Sequence, residues 1–331
     1  MRSIRPLAAL LTAVVLLEGG SSGGEPEPTA AETVTVTAAG KEVTVPVIDT
    51  GIWALEYQTA LNLLSIGVVP AYVSEYAYEP DPMIRAAYTI LEDAGVKLME
   101  NGKAERIAAA KPELILGNPI FDEKIVDQID QVAPMLPCDS LQPLNDELTL
   151  LGTITGHASQ ADSIIDAVAA DRAEMADRIT STDFAGASVS VLSACGEDAI
   201  CIYGTDRAFG PLLAALGFTR PASPDTAGNE WGYETISSER LNEQVADIVV
   251  ALTGSVAFGA PSPIGNPLFD TSKSVTGEVD YSARYGAGPL NQARILRDLD
   301  RDLDASLFGE GEITTEADAP ALWAEAIEAA R

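Results

Sequence analysis

The chain has 331 residues, enough for two ordinary domains, and 47% of them are apolar, enough to fill two cores. Fifty acidic residues stand against twenty basic ones, and the net charge of -30 repels nucleic acid and anionic lipid at long range, which excludes both as partners. A solvated acidic surface that keeps an exported protein soluble accounts for this charge without any specific role.

The chain opens "MRSIRPLAALLTAVVLLEGGSSGGEPEPTAAE", with Arg2 and Arg5 ahead of an apolar run from Leu7 to Leu17. Residues 1–20 read as a secretory signal peptide and residues 21–32 as a flexible tether. The apolar run is well short of the roughly 20 residues that a spanning helix needs. "LLEGGSSGG" resembles a bacterial lipoprotein signal, but Gly20 stands where such a signal has its Cys. Export to the cell envelope or beyond is expected, and a lipid anchor is in doubt.

From Thr33, "TVTVTAAGKEVTVP" alternates with period two around "AAGKE", a hairpin signal. Helical and strand-like segments then take turns: "WALEYQTALNLLSIG" as helix, "VVPAYVS" as strand, "ERIAAA" as helix, "PELILG" as strand and "DEKIVDQIDQVA" as helix. This alternation predicts an α/β lobe with a largely parallel sheet over residues 33–147. Leu151, Ile154, Ala158, Ala161, Ile165, Val168, Met175 and Ile179 then follow three-four spacing, interrupted by Arg172. The spacing predicts one helix over residues 148–180, about 48 Å long, which serves either as a rigid spine between two lobes or as a long surface helix on a single domain.

Beyond the spine the alternation restarts, which predicts a second α/β lobe over residues 181–308. "SVSVLSA", "AICIYG" and "ADIVVALTG" read as strands, and "RAFGPLLAALG", "SSERLNEQ" and "PLNQARILRDLDRDLDAS" as helices. Cys195 and Cys201 bracket "GEDAI" between two of these strands, so a disulfide across a hairpin is geometrically reasonable in an oxidising compartment. Three unpaired cysteines, Cys138 among them, are the other reading. Residues 309–331 form a tail that begins polar and ends in an amphipathic helix.

Catalytic constellations are scarce. The single histidine, His157, lies inside the predicted spine, which rules out a metal site built from several imidazoles and leaves a Ser/His/Asp triad without a nucleophile elbow. There is no Walker loop, and "GAGPLN" lacks the third glycine of a dinucleotide fingerprint. No cofactor of the protein's own is expected. Aromatic residues are more selective: only 6% of the chain, they gather near predicted strand ends and loops, as Trp53 and Tyr57; Tyr72, Tyr76 and Tyr78; Tyr203; Trp231 and Tyr233; Tyr281 and Tyr285. Ligands of open α/β sheets lie where strands end, and rings there offer area with a polar edge.

The signal and tether, the hairpin, "AERIAAAKPELIL", the long helix, "YGTDRAFGPLLAALGF", "WGYETISSERLNEQVADIVV" and "NPLFDTSKSV" together resemble the iron-siderophore and cobalamin substrate-binding proteins of ABC importers, over about Thr33 to Ser306. The resemblance implies two α/β lobes joined by a single long helix, the class III periplasmic-binding-protein arrangement, with ligand in the cleft between the lobes. It implies a monomeric, non-enzymatic receptor that delivers a ferric siderophore to an ABC transporter permease, with iron carried only inside the chelate. Cobalamin or haem is the alternative ligand for the same architecture, and an exported α/β enzyme the more distant alternative.

The resemblance also carries residue roles. The "ERI" segment puts a permease-docking glutamate at Glu105, and "ISSERL" puts a second at Glu239. "NEWGYETIS" resembles a part of the ferric-hydroxamate binders whose tryptophan faces the ligand, which falls on Trp231. Tyr203 and Arg207 in "YGTDRAFG", and Arg284 in "YSARYGAG", are rim candidates, beside Trp53, Tyr57, Tyr76 and Tyr233 from the aromatic pattern. With only about three arginines placed to reach the cleft and a heavily acidic surface, a neutral or cationic ferric hydroxamate suits the cleft better than a triply anionic catecholate.

Overall fold

The period-two run at Thr33 folds as expected. In the computed structural model, β1 (Thr33–Ala38) and β2 (Lys41–Pro46) pair antiparallel around Gly40, whose φ of 73° supplies the left-handed turn. The structure describes residues 32–38, 40–76, 82–100, 104–117, 128–196, 198–206, 209–221, 231–253, 261–281, 286–302 and 315–328. The expected signal peptide, and the expected tether up to Ala31, lie outside them.

The first sheet comprises β3 (Ile52–Ala54), β4 (Tyr72–Ser74), β5 (Lys97–Met99), β6 (Leu114–Gly117) and β7 (Met135–Pro137), in the order β5-β4-β3-β6-β7 with every pairing parallel. Its helices are α1 (Tyr57–Ser65), α2 (Pro82–Asp93) and α3 (Ala104–Ala110). Strand alternation sorts the core into two faces. Ile52, Leu114, Leu116 and Leu136 pack with Leu63 of α1, and Trp53, Ile115 and Met135 pack on the other side with Ile107 of α3.

The predicted spine is not one helix. α4 (Leu144–Thr155) and α5 (Ala158–Thr180) are separated at Gly156, which caps α4 in the left-handed conformation with φ 73°. A Cβ at Gly152 would lie 2.7 Å from that of Ala161, so the bare glycine lets α5 pack back against α4. The three-four stripe continues across the break, which is why periodicity alone reads through a residue that is a helix stop signal. The bridging helix is therefore α5, 23 residues and about 34 Å long. Ala161, Ile164 and Val168 belong to a first-lobe core cluster, and Met175 and Ile179 to a second-lobe one.

The second sheet has β8 (Val189–Ala194), β9 (Ala199–Tyr203), β10 (Tyr233–Ser237), β11 (Ile248–Thr253) and β12 (Val275–Asp280), ordered β10-β9-β8-β11-β12. β8, β11 and β12 run parallel; β9 is antiparallel to β8, and β10 to β9. Cys195 and Cys201 are joined across the β8–β9 hairpin with their Cα atoms 5.8 Å apart, and Cys138 is free and buried. α6 (Gly210–Ala215) covers one face, and "SERLNEQ", expected as an α-helix, forms a 3₁₀ helix at Ser238–Gln244 whose Leu241 covers the other.

α7 (Pro289–Asp302) makes a second crossing: Leu290 packs in the first lobe's core, and Ile295, Leu296 and Leu299 in the second's. An ion pair between Arg178 and Asp300 ties α7 to α5. The tail helix α8 (Ala319–Glu328) then docks on the first lobe through Ala319 and Leu322, beside α2. The chain thus returns to the lobe it began with, which its linear order of elements does not reveal.

Polar groups are buried where the lobes join. Glu147 of α4 is 3% exposed, and Thr59 Oγ1 lies 3.1 Å from its Oε1 and 3.3 Å from Oε1 of Glu56, the N-cap residue of α1. One hydroxyl hydrogen serves two carboxylates. Burial pushes the Glu147 pKa up to about 7; the Asp139 charge adds to the rise, and the Thr59 and Asn62 side chains oppose it. A carboxyl whose folded pKa lies above its unfolded value holds its proton more tightly when folded. Its contribution is therefore fully present below about pH 4.5 and is lost as pH rises towards 7. Glu147→Gln keeps an acceptor for Thr59 and removes the charge. In urea unfolding it is expected to be more stable than the parent by roughly 3 kcal/mol at pH 8, with the difference vanishing near pH 4. Equal stabilities at pH 8 would contradict the burial argument.

Candidate functional site

Segments that follow the last strand of each sheet meet. Ser140 follows β7 and Ala287 follows β12, and the Ala287 N–H donates to the Ser140 carbonyl at 3.4 Å. A Cβ at the neighbouring Gly288 would stand 2.8 Å from Asn62 Oδ1 of α1, so a larger residue here would have to displace the Asn62 amide. Crevices outside the carboxyl ends of strands are where open α/β sheets bind ligands.

On the first lobe, β4 leads out to Tyr76, half-buried at the sheet's carboxyl end. Its backbone N–H donates to Tyr88 Oη at 3.0 Å, and its own Oη donates to Gln58 Oε1 at 3.4 Å. The buried Tyr57 meets both Tyr76 and Tyr88 edge-on, with ring centroids 5.8 and 6.0 Å apart, so Tyr57, expected at the cleft, is a buried support beneath Tyr76. Trp53 is 1% exposed in mid-sheet, donates from Nε1 to Ser74 Oγ at 2.9 Å and stacks on Tyr72 at 4.9 Å. The expectation that Trp53 lines the cleft is corrected: its position in β3 points it into the packed face beneath α3.

On the second lobe the aromatic residues come together as one cluster. Tyr203 is buried at its centre, within hydrogen-bond distance of Ser193 Oγ (2.9 Å) and with ring centroids 5.8 Å from Phe209, 5.7 Å from Tyr233 and 6.5 Å from Tyr281. Burial pushes its phenol pKa well up, so it stays a neutral hydroxyl. Tyr233 and Tyr281 pack against it and Trp231 packs on the same core cluster, all three half-buried. Tyr203 is thus the support of this cluster, and the three half-buried rings are its open face. Arg207 and Arg284 lie outside the described residues.

Sequence reasoning missed two groups. Arg220 is half-buried and donates to the carbonyls of Val189 (2.8 Å), Gly204 (3.3 Å) and Tyr203, clamping the turn after β9; desolvation of its guanidinium pushes its pKa down to about 10. Nothing local marks it, since its partners are main-chain carbonyls 16 to 31 residues away. Glu147 was hidden among fifty acidic residues. Among the described residues, no group of three or more His, Cys, Asp or Glu side chains could hold a metal ion.

Glu105 and Glu239 are both exposed, in the first turn of α3 and of the 3₁₀ helix. Each lies on the connection from an edge strand (β5, β10) to the neighbour of the central strand (β6, β11), the same place in two sheets of like order. Neither makes an ion pair among the described residues. The arginine after each is engaged elsewhere: Arg106 with Glu100, and Arg240 with Glu243 through bonds of 2.7 to 3.2 Å.

The fold and sequence have known counterparts. The periplasmic binding protein family model matches residues 52–264. A Bacillus subtilis (strain 168) protein described as a probable siderophore-binding lipoprotein, YfiY, is 28% identical over 267 residues, which is 76% of this chain and 79% of that protein. Among solved structures, Staphylococcus aureus SirA complexed with staphyloferrin B superposes with a TM-score of 0.67 at 20% identity, over 82% of this chain and 99% of that one. The FhuD protein of S. pseudintermedius gives 0.68 at 18% identity over 83% and 99%, and B. subtilis FeuA with ferri-bacillibactin 0.62 at 22% over 80% and 95%. With two five-stranded sheets and a helix whose ends pack in different cores, the chain belongs to the periplasmic binding protein family.

Proposed function

We propose that the protein captures a ferric siderophore outside the cytoplasmic membrane, in the crevice between its lobes, and delivers it to an ABC permease. The observation that carries this reading is the pair of half-buried aromatic groups, Tyr76 on one lobe and Trp231, Tyr233 and Tyr281 on the other, in a family of solute-binding proteins. Large partly open rings suit the broad apolar faces of a wrapped metal chelate. The names of YfiY, SirA and FeuA support the siderophore class. FeuA is a triscatecholate binder, so fold alone does not select the chelating group. The net charge of -30 favours a neutral or cationic ferric hydroxamate over a highly anionic complex. Iron enters as part of the cargo.

Tryptophan fluorescence titrated with ferrated hydroxamates, ferrated catecholates, haem and cobalamin tests the reading. Saturable quenching by at least one ferric hydroxamate is the expected outcome, and Tyr76→Ala or Trp231→Ala should weaken it by about tenfold. Quenching by none of the iron chelates removes the siderophore reading, and quenching by catecholates alone removes the hydroxamate preference.

Glu105 and Glu239 are proposed as the permease contacts, one from each lobe. An exposed charge away from the crevice contributes little to ligand affinity, whereas a charge facing a cationic partner governs encounter and register. Glu105→Arg and Glu239→Arg should each leave chelate binding nearly unchanged and lower uptake by cells, more than the Ala variants do. Normal uptake in both Arg variants, or loss of chelate binding in both, would return these residues to ordinary surface charges.

A further inference from the structure

Arg172 interrupts the apolar stripe of the bridging helix, and neither the fold nor the siderophore reading uses it. It lines a cavity of about 210 Å³ bounded by the first turn of α4, the middle of α5, the start of α6 and the start of α7, and so walled by both lobes. Its Nε donates to the Val168 carbonyl of its own helix at 3.3 Å, while Nη2 is shut off from solvent and makes no hydrogen bond. Burial pushes its pKa below the ordinary guanidinium value.

Two further observations fall on the same cavity. Gln292 of α7 is 5% exposed, and its Nε2 donates to the Ala287 carbonyl at 2.7 Å. That bond fixes the amide's orientation and leaves Oε1 a buried acceptor without a donor. The third feature is the N-terminus of α4. Pro143 stands at the N-cap with no side chain to cap the helix, and the N–H groups of Leu144 and Asn145 precede the helical ladder. The cavity therefore offers a cation and a helix N-terminus on one side and a lone acceptor on the other. Asp146, exposed in the same first turn, also lines it and opposes a ligand of high negative charge.

We propose that this cavity binds a small hydroxylated monoanion of the hydroxycarboxylate class, its carboxylate against Arg172 and the first turn of α4 and its hydroxyl donating to Gln292 Oε1. A carboxylate satisfies Arg172 and the helix end together, and a hydroxyl supplies the donor that Gln292 lacks. Because both lobes wall the cavity, a bound anion also braces the junction. The inference is independent of the siderophore reading and of the crevice residues that carry it.

The test uses the purified full chain without siderophore at constant ionic strength set by chloride. Thermal unfolding is followed against glycolate and, separately, acetate, which has the same charge and nearly the same size but no hydroxyl. Glycolate should raise the midpoint saturably, acetate should act about tenfold more weakly or worse, and Arg172→Met should remove the glycolate response. The proposal is overturned by no saturable response to glycolate at concentrations on the order of tens of millimolar, by equal responses to the two anions, or by a full response in Arg172→Met. Should that variant fail to fold, the glycolate and acetate comparison on the parent protein decides alone.

Discussion

A helix that is buried at both ends in different cores cannot move as part of either lobe alone, and the rest of this molecule follows from that constraint. α5 places Ala161, Ile164 and Val168 in one core cluster and Met175 and Ile179 in another. Each end is held by the same apolar burial that holds its sheet, so the helix is a structural member of both lobes. α7 repeats the arrangement from Leu290 to Leu299, and the Arg178–Asp300 pair couples the two crossings. With two packed helices between the lobes, a relative rotation has to shear close-packed side chains, which favours small displacements over wide hinge opening.

The crossings also decide where the lobes touch. The carboxyl end of the second sheet delivers Gly286 to Gly288 onto α1 and the loop after β7, and that contact forms beside buried polar groups rather than a dry core. Glu147, Thr59 and Asn62 sit there with few hydrogen-bond partners to share among them. Burying a carboxyl in such a place costs stability at neutral pH, while an all-apolar junction would have packed without that cost.

Much of this was legible from the chain. Period-two alternation at Thr33 and the alternating strands and helices are local signals, because side-chain direction repeats with the backbone's own geometry. The family likeness was carried by segments whose order survives at low identity. The tyrosines of the rim were legible only as a group. Tyr57, Tyr76 and Tyr88 form one edge-to-face set, yet no local property tells which ring faces outward and which supports it. Trp53 lies in a strand of only three residues, too short for the alternation to say which way its ring points.

By itself the sequence determined the class of fold and the hairpin, since each depends on residues near one another in the chain, while it left open whether the long apolar stripe bridges two lobes and whether Cys195 and Cys201 pair. Gly156 marks the end of α4 locally, but tertiary structure alone decided how the next helix sets against it, because the bare Gly152 accepts Ala161. It alone decided that α8 returns to the first lobe and that α7 crosses, because long-range burial settles which core an apolar face joins. It also raised one glutamate among fifty acidic residues to a pKa of about 7, because desolvation is a property of the folded surroundings and not of the residue.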